Sequence, residues 1–478
     1  MNVLLSLLQK STDYNQLLKA VEAKQAVAVS GLSQAPRSHV LAAAHEQSGR
    51  PLVAVCQDDM AAKRLASELG AFLGEEPPVL PSRELTLAGA IGVSRQWEQQ
   101  RLRLLYALAQ GRVPVLVASL DALLLRTLPR QTLFSASVTL RVGAEYSMPE
   151  LIERLTRAGY SRASLVEGVG QFALRGGILD VYSPAQEKPL RAEFFGDELD
   201  TMGYFDPITQ RRTENVDEAV LLPVAETEPH LHPQGISGLC EDLRAIIARQ
   251  QRRKTPNQAL IETLQKDCEA LENETLFASA DRYMALIYPE FTTAASYLPQ
   301  EAVVAFCDHG NLQRGEKDRA EEFGLLLDSF LTSGTLFGEL CDYYATMDDL
   351  AASLRGRAVI YCDSFLAARY PESLPPKQLL SFTARQLPGY GGSLETAAAD
   401  LKNYASNQYG SIVLCGGQRR GEILKELLAK SGLNALLSFP LTKLPQPGQI
   451  LIAGGSLPAG LEYPTLKFAI LTEGQIAV

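Results

Sequence analysis

Residues 172–212 of the chain read FALRGGILDVYSPAQEKPLRAEFFGDELDTMGYFDPITQRR. Within them, the segment LRAEFF alternates in character with the period of two that is typical of a β-strand. One face of this strand would carry Leu190, Ala192 and Phe194, and the other would carry Arg191, Glu193 and Phe195. A large aromatic side chain among charges on the solvent side of a sheet reduces solubility, and it often marks a surface where another protein docks. The stretch therefore predicts a half-buried sheet whose outer face binds a partner.

The chain has 478 residues, of which 46% are hydrophobic and 21% are charged, and its formal net charge is -10. This length predicts roughly three domains with the composition of an ordinary globular protein. The negative charge argues against a general affinity for nucleic acid, although local basic patches could still bind it. The apolar runs are too short to span a membrane, and the N-terminal MNVLLSLLQK lacks the features of a signal peptide. We therefore expect a cytoplasmic protein with no membrane partner.

The cysteines and histidines give no local metal-binding signature. The seven cysteines are far apart, no two have CxxC spacing, and most lie in apolar runs such as LVAVC and SIVLC. Such positions are typical of buried free thiols. His230 and His232 are the one close pair among the five histidines, so a zinc site would have to form from residues distant in sequence. The sequence predicts no metal and no cofactor.

Apolar strand-like segments alternate with amphipathic helical segments from residue 26 to residue 125, which predicts a parallel α/β unit. Near residue 137 the pattern changes to short strands separated by Gly, Pro and Asp, and polar helical segments follow from 237 to 288. A second α/β alternation, which includes AVIYC, QLLSF, SIVLCGG, QILIAGG and FAILTE, begins near residue 356. The predicted segments are a parallel α/β domain (1–136), an inserted β-rich domain (137–225), a return to the first domain with a linker (226–345) and a second small α/β domain (346–478).

The segment AVAVSGLSQAPRSHV has the frame of the phosphate-binding loop GxxxxGK[ST] without its chemistry. Gly31 and Ser38 fall in register, whereas Pro36 stands at the second glycine position and Arg37 at the lysine position. Proline offers no N–H to a phosphate, and arginine differs from lysine in shape and hydration. The same letters could also arise by chance in an ordinary strand-turn-helix. Both interpretations predict that no nucleotide is hydrolysed here.

A second feature of this kind is the apolar strand AVVAFCDHG, which ends in Asp308, where a carboxylate could hold magnesium. The next residue is His309, at a position where a catalytic carboxylate would orient water. We favour a simpler interpretation, in which Asp308 ends the strand before a turn at Gly310.

Two basic clusters are also better explained by local structure. The run ARQQRRK at 248–254 is typical of a helix C-terminus, where cations meet the helix dipole. The loop LCGGQRRGE, with Gly416, Gly417, Arg419 and Arg420, could hold an anion at the start of a helix. It matches no complete nucleotide fingerprint, so an ordinary strand-helix turn is favoured.

The segments FALRGGILDVYSP and RAEFFGDELDTMGYFDPITQRR resemble the module shared by the transcription-repair coupling factors and the excision-repair helicase UvrB. The closing run GGSLPAGLEYPTLKFAILTE and the run QLLSFTARQLPGYGGSLETAAADLKNYASNQYGSIVLCGG resemble the coupling factors in particular. The resemblance implies a degenerate RecA/helicase-like α/β domain with an inserted UvrB-like α+β domain, followed by a second α/β domain. It also implies an N-terminal recruitment segment without ATPase activity, in a family whose RNA polymerase and DNA contacts lie in other regions.

The resemblance further implies that the β-rich domain docks UvrA, the damage-recognition ATPase. The docking residues of the family, carried onto this sequence, are Arg175, Arg191 and Phe195, with Asp197 and Glu198 as weaker candidates. Arginine combined with an aromatic residue is a frequent composition of binding hot spots. Without the resemblance, each arginine would be interpreted as a solvated charge or as an intramolecular partner of Glu193 or Asp197.

Two other functions stay open at the level of sequence. The chain could be a nucleotide-dependent, UvrB-like helicase subunit with an atypical phosphate loop, and an ATP titration with magnesium would reveal this. It could also be a DNA-binding module that uses its basic clusters, and a steep dependence of binding on salt would reveal that.

Overall fold

The computed structural model describes residues 2–89, 96–275, 277–367 and 369–476. The strands are β1 Ala26–Ser30, β2 Leu52–Cys56, β3 Val79–Leu80, β4 Val115–Ser119, β5 Val138–Arg141, β6 Ser161–Arg162, β7 Gln171–Arg175, β8 Ile178–Val181, β9 Leu190–Phe195, β10 Glu198–Phe205, β11 Arg212–Asn215, β12 Glu218–Leu221, β13 Val303–Cys307, β14 Val359–Cys362, β15 Gln378–Ser381, β16 Arg385–Gln386, β17 Gly410–Cys415, β18 Ala435–Ser438, β19 Ile450–Gly454, β20 Leu461–Tyr463 and β21 Phe468–Thr472. The α-helices are α1 Val3–Ser6, α2 Thr12–Glu22, α3 Gln34–Ser48, α4 Asp59–Leu73, α5 Gln96–Ala109, α6 Leu120–Leu124, α7 Arg130–Ala136, α8 Met148–Arg157, α9 Gly235–Gln251, α10 Gln258–Glu272, α11 Met284–Ile287, α12 His309–Thr332, α13 Met347–Ser353, α14 Leu394–Ser406 and α15 Gln418–Lys430. Within these described ranges, no helix combines the length and the apolar character needed to cross a membrane.

The first sheet has seven strands in the order β15-β1-β14-β13-β2-β4-β3, and every neighbouring pair is parallel. Its central strands are continuous apolar runs, as expected for a parallel sheet that is covered on both faces. Helices α3 and α4 pack on one face, whereas α5, α9 and α10 pack on the other. Successive residues of a strand therefore enter two different hydrophobic cores.

The second sheet has six strands in the order β11-β10-β9-β8-β7-β6, and all its pairs are antiparallel except β6 with β7. Its inner face packs on helix α8, where Leu151 and Leu155 meet Leu190 and Ala192 in one buried cluster. Strands β5 and β12 pair antiparallel beside this sheet. Their pairing brings the two ends of the inserted segment together.

The third large sheet has the order β16-β20-β21-β17-β19-β18. The sequence prediction placed AVIYC and QLLSF in this last domain, from residue 346 onward, and this assignment is wrong. These segments form β14 and β15, and both pair with β1 of the first sheet. A short apolar run predicts a strand, but it carries no local signal that shows which sheet the strand joins. The last sheet instead begins at Arg385.

A buried network of ion pairs joins the end of the inserted segment to the first domain. Arg101 on α5 donates from Nε and Nη2 to the two carboxylate oxygens of Glu226, at 2.9 Å each, and both residues are fully buried. Thr127 donates a further hydrogen bond of 2.6 Å to this carboxylate. Burial alone raises the pKa of Glu226, but the guanidinium groups of Arg101 and Arg83 outweigh it, and the pKa falls to about 2. The network therefore needs an ionised Glu226, and it fixes the inserted segment to α5.

Candidate docking surface and phosphate-loop region

Arg191 lies at the centre of the outer face of the second sheet. Its Nε and Nη2 donate to the two carboxylate oxygens of Asp180, at 2.7 and 2.8 Å. Its Nη1 and Nη2 also donate to the backbone and side-chain oxygens of Gln210, at 3.0 and 3.1 Å. The guanidinium stacks over the ring of Phe205, with 4.3 Å between the guanidinium carbon and the ring centroid. These contacts leave only 16% of the Arg191 side chain exposed, so most of its binding capacity is used within the domain.

The partner of this arginine differs from the one that sequence reasoning considered. Glu193 and Asp197 were the intramolecular candidates, but Arg191 pairs with Asp180, which lies directly opposite it on β8. Glu193 instead accepts a hydrogen bond of 3.0 Å from Arg212. Residues directly opposite each other on adjacent strands are the closest side-chain neighbours in a sheet, whereas the sequence alone does not give the strand register.

Asp180 is shared by two of the predicted docking residues. Arg175 donates from Nη2 to Asp180 at 2.8 Å, and 49% of the Arg175 side chain stays exposed. The Asp180 side chain is 1% exposed. A single buried carboxylate therefore holds Arg175 and Arg191 side by side, and Arg175 is the more accessible of the two.

Phe195 ends β9 on the same face as Arg191 and is 85% exposed. Phe195 lies four positions after Arg191 along the strand, which corresponds to about 13 Å. Asp197 and Glu198 are also exposed, in and just after the turn at Gly196 that joins β9 to β10. The structure thus brings Arg175 and Arg191 into contact with the carboxylate of Asp180. It places Phe195 at the end of β9, the strand that carries Arg191, and Asp197 and Glu198 just beyond it.

A second exposed apolar side chain, which sequence reasoning did not single out, lies in the turn after β10. Ile208 is 90% exposed, and the Asp206 carboxylate fixes this turn by accepting from the N–H groups of Ile208 and Thr209 at 2.8 Å each. The DPIT sequence carries the turn signal, but it gives no reason to expect such a high exposure of isoleucine.

The residues that the sequence analysis compared with a phosphate-binding loop make contacts within the chain. Arg37 lies in the first turn of α3 and donates from Nη1 to Asp308 at 2.8 Å. Ser38 is fully buried and donates to Glu68 at 2.6 Å. Pro36 is buried in the same first turn, where a missing N–H leaves no intrahelical hydrogen bond unmade. The basic and hydroxyl groups of the loop are therefore committed to carboxylates of the protein.

Two backbone N–H groups at the start of this segment are also engaged. The N–H of Gly31 donates to the carbonyl of Ser364 at 3.1 Å, and the N–H of Leu32 donates to the carbonyl of Asp363 at 3.2 Å. A Cβ atom added to Gly31, whose φ is +82°, would lie 2.0 Å from the carbonyl oxygen of Phe382. The chain that leaves β15 thus lies directly against the glycine, where a phosphate-binding loop would need open space.

Beside the Arg37–Asp308 ion pair lies a buried histidine. The backbone N–H of His309 donates to Asp363 at 2.5 Å, and its ring packs against Tyr361 and Tyr370 with centroids 5.3 and 5.2 Å away. Burial lowers the pKa of His309 to about 4. Burial also raises the pKa of Asp363 to about 6, against the opposing effects of the His309 N–H and Arg37. At pH 7, residue 309 is therefore a neutral imidazole, at the position that the sequence analysis compared with a water-orienting carboxylate.

The inserted segment also matches a known protein family. The family model described as "UvrB interaction domain" matches residues 138–226, a range that contains β5 to β12 and helix α8. The inserted segment therefore places the chain in the class of proteins that carry a UvrB-type interaction domain.

The relatives of the whole chain are more specific. The chain is 23% identical over 98% of its length to the transcription-repair-coupling factor of Bacillus subtilis (strain 168), and 25% identical over 99% of its length to that of Staphylococcus aureus (strain USA300). It spans 40% of the length of each of these relatives. Together with the domain match, these similarities support the identification made from the sequence, an N-terminal region of a transcription-repair coupling factor.

Proposed function

We propose that this chain is the recruitment segment of a transcription-repair coupling factor and that its inserted β-rich domain binds UvrA. The observation that carries the proposal is the 85% exposure of Phe195 on the charged face of β9, within the range that matches the UvrB interaction domain. An exposed phenylalanine costs solubility unless a partner covers it, and an aromatic side chain beside arginine is a frequent hot-spot composition.

The three principal docking residues have different roles in this proposal. Phe195 is the apolar anchor, because it contributes the largest exposed apolar surface on β9. Arg175 supplies directional hydrogen bonds, because about half of its side chain reaches solvent. Arg191 acts mainly by positioning, because it holds Asp180 and the turn at Gln210 in place.

The proposal also assigns no nucleotide turnover to this chain. Its support is the internal occupation of the phosphate-loop region, in which Arg37 and Ser38 are bound to carboxylates. The N–H groups of Gly31 and Leu32 are likewise bound to carbonyls, so a phosphate would have to displace all four interactions. An ATP titration with magnesium tests this part, and saturable binding at millimolar concentration or below would overturn it in favour of the helicase-like alternative.

The docking part is tested by the equilibrium affinity of purified UvrA for the chain and its variants. Phe195→Ala should weaken binding by about 2 kcal/mol or more, which is about thirtyfold. Phe365→Ala is a matched control, because Phe365 is 87% exposed but lies after β14 of the first sheet. This control should leave the affinity unchanged. Equal affinities for the unsubstituted chain and Phe195→Ala would overturn the assignment of the docking face.

A further inference from the structure

Three potential metal ligands meet between helices α9 and α10, away from the docking face. Cys240 lies on α9, and Cys268 and Glu272 lie on α10. Residues four apart on a helix share one face, so Cys268 and Glu272 both face α9. The two sulfur atoms and a carboxylate oxygen all lie within 4.8 Å of one another. This group is assembled from two helices, which explains why no local metal-binding motif is visible in the sequence.

The donor set selects a class of metal ion. Two soft thiolates combined with one hard carboxylate suit the borderline ion Zn²⁺, whereas Mg²⁺ and Ca²⁺ require oxygen ligands throughout. Zinc–ligand bonds of about 2.0 to 2.3 Å at tetrahedral angles place neighbouring ligand atoms about 3.5 to 3.8 Å apart. From a spacing of at most 4.8 Å, the ligand atoms need to approach one another by no more than about 1.0 to 1.3 Å, which side-chain rotations can provide.

Burial and access also fit such a site. Both thiols are buried between the helices, whereas Glu272 is exposed and opens the cluster to solvent. The Cys240 thiol donates a long hydrogen bond of 3.8 Å to the Cys268 carbonyl and also interacts with the Cys268 thiol, so the two sulfur atoms already lie side by side. Arg244, one turn after Cys240 on α9, pairs with Glu272, so a metal ion would compete with this guanidinium for the carboxylate.

We propose that Cys240, Cys268 and Glu272 bind one Zn²⁺ ion, with water in the fourth position, and that this ion clamps α9 to α10. Binding releases the two thiol protons and exchanges the Arg244–Glu272 ion pair for a metal–carboxylate bond. No electron transfer takes place. The site stabilises the helical layer that covers one face of the first sheet, and it is independent of the docking of UvrA.

The test is a titration of the whole chain, reduced and freed of metal, with Co²⁺, whose thiolate complexes absorb in the near ultraviolet. One equivalent should bind, with a thiolate-to-cobalt band, and excess Zn²⁺ should displace it. Cys240→Ala should abolish the band. Glu272→Gln, at an exposed position that the fold does not require, should weaken the affinity at least about tenfold, since even indirect ligand partners contribute that much.

Two matched controls separate metal binding from other effects. Arg244→Gln breaks the same ion pair as Glu272→Gln without removing a ligand, so it should leave cobalt binding unchanged or make it tighter. Cys341→Ser removes a partly exposed thiol outside the cluster and should have no effect. The proposal is overturned if no thiolate band forms, if Cys240→Ala keeps the band, or if Arg244→Gln weakens binding as much as Glu272→Gln.

Discussion

The substitution Arg191→Ala should destabilise the inserted domain itself, before any effect on a partner. It removes two hydrogen bonds to Asp180, two to Gln210 and the stacking on Phe205. Removing one member of a buried ion pair costs about 3 to 5 kcal/mol. Arg175 keeps its bond to Asp180, so we expect the lower end of that range, about 3 kcal/mol.

Native-state hydrogen exchange of the β8 and β9 amides measures this change directly. A loss of about 3 kcal/mol should speed exchange through opening of the domain by about a hundredfold or more, since 1.4 kcal/mol corresponds to a factor of ten. Arg175→Ala is the control, because its half-exposed side chain makes one bond and should cost less than about 1 kcal/mol. The reasoning fails if β9 of Arg191→Ala exchanges at the rate of the unsubstituted chain, or if Arg175→Ala has the larger effect.

Three further predictions concern the buried charges. Arg101→Met leaves Glu226 buried without its main partner, so urea unfolding at pH 7 should show a loss of about 3 to 5 kcal/mol, and an unchanged midpoint would contradict the network. The pKa of His309, lowered to about 4, and the pKa of Asp363, raised to about 6, have opposite linkage effects. In Asp363→Asn, the free energy of unfolding should therefore rise more steeply between pH 4 and 6 than it does in the unsubstituted chain. In His309→Phe, it should fall relative to the unsubstituted chain between pH 4 and 6.5. Each difference should amount to about 3 kcal/mol. The reverse slopes would refute the assigned burial. Arg37→Lys introduces the lysine of a phosphate loop, but calorimetry should still detect no ATP binding. The reason is that the backbone N–H groups of Gly31 and Leu32 are engaged by carbonyl groups of the protein. ATP binding by this variant would contradict the explanation.

The face of β9 could be predicted because it depends on local alternation alone. Leu190 and Ala192 are fully buried, and Phe195 is exposed, as the period of two requires. The partner of Arg191 could not be predicted in this way. It depends on the register between β8 and β9, and Asp180 has no feature in the sequence that distinguishes it from other strand aspartates.

The difference between local patterns and long-range contacts also explains what could and could not be predicted for the phosphate-loop region and for the domain boundary. The sequence shows Arg37 and Pro36 at the positions that hold lysine and glycine in a phosphate-binding loop, whereas the residue that covers Gly31 is Phe382, 351 residues later. The assignment of β14 and β15 to the first sheet is likewise a long-range fact about pairing with β1. Local patterns thus predict the strands and helices, whereas long-range packing decides what surrounds them.

The central claim is most directly tested by mapping where UvrA contacts the chain. Hydrogen exchange of the whole chain should be measured with and without saturating UvrA, with no nucleotide bound to the chain. We predict protection of the outer-face segment formed by β7, β9 and the turn at 196–198, with no change in the phosphate-loop region at 31–38. Protection confined to other parts of the chain, or unchanged exchange along β9 in a saturated complex, would contradict the account.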